Sequence, residues 1–195
     1  MLFQCRGKMK QQIFAILLGL LGLSAAQAGP ETVTQDEDIQ LRKLAERIPS
    51  NCRVAGTRDA NGQPVFFWQH TFNDGTRDLV MATSLEGRLQ GIRRVTYGGS
   101  QSLGCHFPLL AIVRGGAWGW HLAWMRMNKG LFYARMDGEA WVSSPPKRMS
   151  NADVTQVELS TVNNRVSLGW LELTNNITIP TQMFSEDDGR TWVRR

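Results

Sequence analysis

Three stretches of the chain share one pattern of apolar and polar positions. Each opens on a short apolar run ending in tryptophan: Pro64-Val65-Phe66-Phe67-Trp68, His121-Leu122-Ala123-Trp124 and Val166-Ser167-Leu168-Gly169-Trp170. A polar turn follows, around Asn73-Asp74-Gly75, Asn128-Lys129-Gly130 and Asn175-Asn176. A second run comes next, over 78–83, 131–135 and 177–184, and each unit closes on a tight turn holding an acid and a glycine. Short alternating runs with turns at this rate predict antiparallel β-meanders. The turn glycines Gly87, Gly138 and Gly189 recur every 51 residues, and Trp68 and Trp170 stand two periods apart. Trp124 falls out of step because its hairpin turn is shorter by five residues, an indel of the kind surface hairpins accept. A period near 50 residues predicts propeller-blade-like sheets placed side by side. The expected fold is therefore mainly β, with three such repeats over residues 51–195.

Ahead of the repeats the period changes. Ile39, Leu41, Leu44, Ala45 and Ile48 recur among charges, and their spacings of three and four predict one amphipathic helix over 36–47, ended by Pro49. Its expected role, within a segment over 29–50, is a lid on an open end of the β-array.

The first 28 residues have a different character. Arg6, Lys8 and Lys10 precede an apolar run from Ile13 to Leu23, and Ala26-Gln27-Ala28 offers small residues at the positions a signal peptidase reads. This is the layout of a secretory signal peptide over 1–28. The apolar run is well short of the roughly 20 residues a spanning helix needs, so no membrane span is expected after cleavage. The formal net charge is +5, but three of the positive charges belong to the leader, and the remainder is close to neutral. No basic stripe with interleaved aromatics is present, so nucleic acid is not an expected partner. Cys5 leaves with the leader. Cys52 and Cys105 remain, and an even pair in an exported chain predicts a disulfide and a periplasmic or secreted location.

The last closing turn reads Ser-x-Asp-x-Gly-x-Thr-Trp, at Ser185, Asp187, Gly189, Thr191 and Trp192. This resembles the Asp-box of bacterial sialidases and other BNR-repeat β-propellers. The second repeat keeps Asp137, Gly138 and Trp141, with Met136 in place of serine; the first keeps Ser84 and Gly87, with Glu86 for aspartate and no tryptophan. The resemblance covers about residues 45–195. It implies a structural role for the box residues, because the box lies away from the active site in that family. The residue types suit such a role: a turn aspartate bonds backbone N–H groups two residues on, and glycine accepts a positive φ.

The same resemblance raises a sialidase-like glycoside hydrolase as an alternative function. Sialidases use three arginines, the first in an aromatic-Arg-Ile-Pro motif, with a tyrosine nucleophile assisted by a glutamate and an aspartate acid/base. Arg47-Ile48-Pro49 is the match here, with Glu46 in place of the aromatic, and Asp74 falls where the acid/base would sit. The later arginines and the tyrosine come from later blades, and only Tyr97 and Tyr133 exist in this chain. A converging set of groups for glycoside hydrolysis is not assembled, so no catalytic residue is assigned. A copper-binding alternative draws on His70, His106 and His121 with Met81, Met125 and Met127, but no ligand-type spacing links them, and no cofactor or metal is expected.

Three blades are fewer than the roughly four to eight of a closed propeller. Either the helix and first strands cap an open stack, or two copies meet as a homodimer to complete a six-bladed ring. The expected function is an exported, non-catalytic binding or scaffold module, with a glycan, an envelope component or a partner protein as its ligand.

Overall fold

The computed structural model describes residues 35–48, 50, 52–99, 104–116, 119–139, 141–175 and 177–194. The signal-peptide reading of residues 1–28, and Pro49 of the Arg-Ile-Pro match, lie outside the described residues. One helix, α1 (Gln35–Ala45), precedes three four-stranded antiparallel sheets. Sheet 1 holds β1 (Ala55–Arg58), β2 (Pro64–Thr71), β3 (Arg77–Leu85) and β4 (Arg88–Arg94). Sheet 2 holds β5 (Leu110–Arg114), β6 (Trp120–Arg126), β7 (Gly130–Met136) and β8 (Lys147–Ser150). Sheet 3 holds β9 (Asp153–Val162), β10 (Arg165–Thr174), β11 (Ile177–Ser185) and β12 (Val193–Arg194). Each sheet is a simple meander. The hairpins seen in the sequence are the middle pairs β2–β3, β6–β7 and β10–β11, and the closing turns join the third strand to the fourth.

The sheets stack face to face, and the pattern of each strand follows from how many faces it buries. In β2 and β3, Val65, Phe67, Leu79 and Met81 pack toward sheet 2, while Phe66, Trp68, Val80 and Ala82 pack toward α1. Both faces are covered, so β2 is a continuous apolar run rather than an alternating one. The β6 strand is buried on both sides as well. Trp120, Leu122 and Trp124 join the layer against sheet 1, and Ala123 and Met125 the layer against sheet 3. Sheet 3 buries one face only. Val166, Leu168 and Trp170 point at sheet 2, whereas Ser160, Ser167 and Gln182 point away from it, giving clean alternation.

The repeat tryptophans all point the same way along the stack. Trp170 faces sheet 2, Trp124 faces sheet 1, and Trp68 faces the helix. Leu41, Leu44 and Ala45 of α1, with Ile48 just beyond it, thus fill the place that a preceding sheet would take. The first strands β1, β5 and β9 lie beside one another and line a groove of about 520 Å³. The cysteines are joined, Cys52 to Cys105, tying the segment after the helix to the crossing between sheets 1 and 2.

Candidate functional site

A cavity of about 400 Å³ opens between sheets 1 and 2. Its floor and one wall come from a cross-strand pair. Trp124 on β6 and Phe132 on β7 stand opposite each other with near-parallel rings 6.1 Å apart. Phe67 of sheet 1 meets Trp124 edge-on at 6.2 Å, and the Arg148 guanidinium stands over Phe132 at 5.4 Å. The segment between β4 and β5 supplies the opposite wall through Val95–Gly98, His106 and Phe107. Tyr97 stands at the rim, 77% exposed, and Pro145-Pro146 borders the other side. Two arginines, Arg77 and Arg126, reach the same space. The Arg126 guanidinium runs along Gly98 and, among the described residues, has neither a hydrogen bond nor an ion pair.

Two buried polar side chains fix that wall. Asp78, 2% exposed at the start of β3, accepts hydrogen bonds on Oδ1 from Thr96 Oγ1 (3.0 Å) and the Gly99 N–H (3.1 Å). Arg94, which lies 3.6 Å over the Phe72 ring, stands 3.9 Å from its Oδ2. Gln69 on β2 donates from Nε2 to the Gly104 carbonyl and accepts at Oε1 from the His106 N–H, at 3.1 and 2.9 Å. A strand residue that is polar and buried needs partners, and here the partners are the backbone of the crossing segment. The disulfide at Cys105 adds a covalent hold between those contacts.

No protein-family model matches the chain, and no curated protein matches it. Among solved structures it is similar to a fucose lectin from Kordia zhangzhouensis in complex with methyl-fucoside. The identity is 10% and the TM-score 0.39, over 73% of this chain and 96% of that one. A TM-score of that size is too low to carry a ligand from one protein to the other.

The box-like turns occupy equivalent places but differ in conformation. In the last, Asp187 accepts from the Thr191 N–H and hydroxyl and from the Ser185 hydroxyl, all at 2.8 Å. The Gly189 N–H donates to Ser185 Oγ at 2.7 Å, and Trp192 Nε1 donates to the Gly189 carbonyl at 3.1 Å. These bonds, the Thr191 N–H foremost, hold the Asp187 carboxyl well below the usual carboxylate range. Its oxygens are committed to the turn, which is structural chemistry. In the second turn Asp137 accepts from the Glu139 N–H at 2.9 Å, and Trp141 packs on Trp120 at 4.7 Å. The first is a two-residue hairpin, with both Glu86 and Gly87 at positive φ and the buried Ser84 ahead of it. No box hydrogen bond is formed by Glu86 there: its place at a hairpin tip points it into solvent.

The residues of the hydrolase alternative do not share a cavity. Arg47 is exposed in the turn that ends α1, and Asp74 sits at the tip of the β2–β3 hairpin. Asp74 accepts from the Thr76 N–H and hydroxyl, and these bonds lower its pKa in the manner of a turn aspartate. Neither residue lines the groove along β1, β5 and β9 or the pocket between sheets 1 and 2. The three histidines of the copper alternative lie in different surroundings. His70 lies between Trp68 and Phe72, His106 lines the pocket, and His121 is sealed between sheets 2 and 3. Among the described residues no group of three His, Cys, Asp or Glu side chains is placed to hold a metal ion.

The pocket residues Arg77, Tyr97, Trp124, Arg126 and Phe132 come from three separate segments, so no local motif announces them. One signal was present. Asp78 is a buried acid directly ahead of the apolar run Leu79–Ala82, and such a residue requires buried partners.

Proposed function

We propose that this protein is an exported, non-catalytic module that binds a glycan in the pocket between sheets 1 and 2. The observation that carries the reading is an aromatic-walled cavity with an uncommitted guanidinium at its edge. Ligand sites are commonly apolar clefts with a few placed polar groups, and this cavity has that make-up. A sugar ring suits it on chemical grounds. The C–H face of a pyranose packs on an aromatic ring, here Phe132 or Tyr97, while its hydroxyl and ring oxygens accept from Arg126. The Gln69 and Asp78 contacts hold the wall before a ligand arrives, which lowers the ordering cost of binding. The disulfide suits an oxidising compartment.

The scaffold reading goes with it. Three meander sheets with their first strands side by side and their tryptophans co-oriented are what an open set of propeller blades of the sialidase-like type would present. Closure into a six-bladed ring by a second copy would require the face of sheet 1 that α1 covers. The capped, monomeric stack is therefore the form we propose, and light scattering on the protein tests it.

The binding test is a glycan array of mono- and oligosaccharides followed by calorimetric titration of the sugars that score. Arg126→Ala and Tyr97→Ala should each weaken binding at least about tenfold, a loss of about 1.4 kcal/mol. Binding unaffected by both changes would place the site elsewhere. Turnover of a fluorogenic sialoside that is abolished by Arg47→Ala and Asp74→Ala would replace this reading with the hydrolase.

A further inference from the structure

Three titratable side chains meet in the buried layer between sheets 2 and 3, away from the pocket. His121 on β6 is 0% exposed, Tyr133 on β7 is 2% exposed, and Asp188 in the turn before β12 is 6% exposed. Nδ1 of His121 lies 2.5 Å from the Tyr133 hydroxyl. Nε2 lies 3.2 Å from Asp188 Oδ1, within attraction though off-line for a linear hydrogen bond. The proton inventory closes for a neutral ring. The tyrosine O–H donates to Nδ1, and an Nε2–H faces the carboxylate. A second ring proton would sit on Nδ1. It would take away the acceptor that the tyrosine hydrogen uses, and among the described residues the hydroxyl has no other hydrogen-bond partner.

The same three residues anchor the end of the chain. The Asp188 N–H donates to the Asn164 carbonyl at 2.8 Å, and Arg135 Nη1 reaches the Asp188 carbonyl at 3.4 Å. Trp192 packs edge-on against Tyr133 at 4.7 Å. The strand β12 pairs only through Met183–Arg194 and Phe184–Val193, and its Arg194 side chain adds a hydrogen bond to Thr181 at 3.2 Å and an ion pair with Glu172 at 3.9 Å, contacts made within sheet 3 rather than to sheet 2. The charged and titratable groups around the ring are few. Tyr133 and Arg135 face it from β7, and Asp188, with Asp187 near Tyr133, from the last turn. The described part of the β5–β6 loop brings only Gly115, so close that a Cβ there would stand 2.8 Å from Nε2.

We propose that the His121–Tyr133–Asp188 cluster is an acid-sensitive latch, fastening the last turn and β12 to sheet 2 near neutral pH and releasing them as the solution becomes acidic. Burial, the largest influence, lowers the pKa of the ring from 6.5; the Asp188 charge opposes this in part, and Arg135 adds to it. An unlatched chain exposes the ring, which then takes a proton at its ordinary value. The unlatched state therefore binds more protons in the window just below pH 6.5. The latched state is favoured above that pH and loses ground below it, by up to about tenfold per pH unit until the buried ring itself titrates.

Hydrogen exchange read by mass spectrometry on the full chain tests this, between pH 7.5 and 5.0 and corrected for intrinsic rates. Peptides covering 185–194 should lose protection as the pH falls, by about tenfold more than peptides from β2 and β3. His121→Gln should flatten that difference. Tyr133→Phe removes the donor that favours the neutral ring, brings the latched value closer to 6.5 and should shrink the acid-driven loss of protection; Asp188→Asn removes the charge that favours the protonated ring, lowers the latched value further and should enlarge that loss. The proposal is overturned if 185–194 and β2–β3 lose protection in parallel, or if His121→Gln keeps the wild-type profile. Should His121→Gln not fold, an undiminished acid-driven loss of protection in Tyr133→Phe overturns it equally.

Discussion

Gly189 offers a quantitative test of how the last turn is built, because two separate demands fall on it. Its φ is +80°, and a Cβ placed there would overlap the Tyr133 hydroxyl and stand 2.7 Å from Cζ of that ring. Gly87, in the first closing turn, has a similar φ of +76° but open space within 4 Å. Alanine at Gly87 therefore meets only the backbone penalty, about 1–2 kcal/mol. Alanine at Gly189 meets that penalty plus overpacking of about 1–3 kcal/mol. The unfolded-state effect of replacing glycine is common to both and cancels in the comparison. Urea denaturation of Gly87→Ala, Gly189→Ala, Tyr133→Phe and the Gly189→Ala/Tyr133→Phe double variant reads the terms apart. In the double variant the ring loses its hydroxyl and its tie to His121, so it can give way. The cost of Gly189→Ala should then fall by at least about 1 kcal/mol, a coupling well within what double-mutant cycles resolve. Equal costs for Gly189→Ala in both backgrounds would refute the packing argument and leave φ alone as the reason for glycine.

Other expectations follow from the same structure. Trp68, 1% exposed between sheet 1 and the helix, should cost about 3–5 kcal/mol on change to alanine, measured by denaturation, whereas half-buried Trp192 should cost clearly less. Cys52→Ser and Cys105→Ser should each lower the melting temperature in an oxidising buffer, with the double variant no worse than either single. The bridge spans 53 residues, for which chain entropy gives about 4 kcal/mol. The Asp187 carboxyl has a pKa depressed below its unfolded value of 3.8, so its contribution is present above that pH and is lost as pH falls through the folded value. The stability gap between wild type and Asp187→Asn should therefore shrink on acidification below about pH 4, and a gap that grows instead would show the sign to be wrong.

The middle hairpins could be read from the sequence because their apolar residues are consecutive or alternating and their turns carry glycine and asparagine. The outer strands could not. β4 is RLQGIRR and β8 is KRMS, edge strands whose exposed residues carry no apolar pattern. β1 is only AGTR, and its strand character comes from pairing with β2 rather than from its own residues. The cysteine pair was legible because, with Cys5 assigned to the expected signal peptide, only one pairing exists. The pocket was not, since Tyr97, Trp124 and Arg126 are joined only by the stacking of one sheet on another. The His121 cluster was hidden for a related reason: a histidine in an apolar strand does not disclose that an aspartate 67 residues later folds back against it.

The helix gives the stack a direction. Apolar side chains of α1 seal the first sheet, while the far face of the third presents Ser160, Ser167 and Gln182 to water. An engineer adding a fourth meander after β12 would find a seat there once those polar residues were exchanged for apolar ones. The same addition ahead of β1 would have to evict the helix first, so the scaffold can be lengthened from one side only.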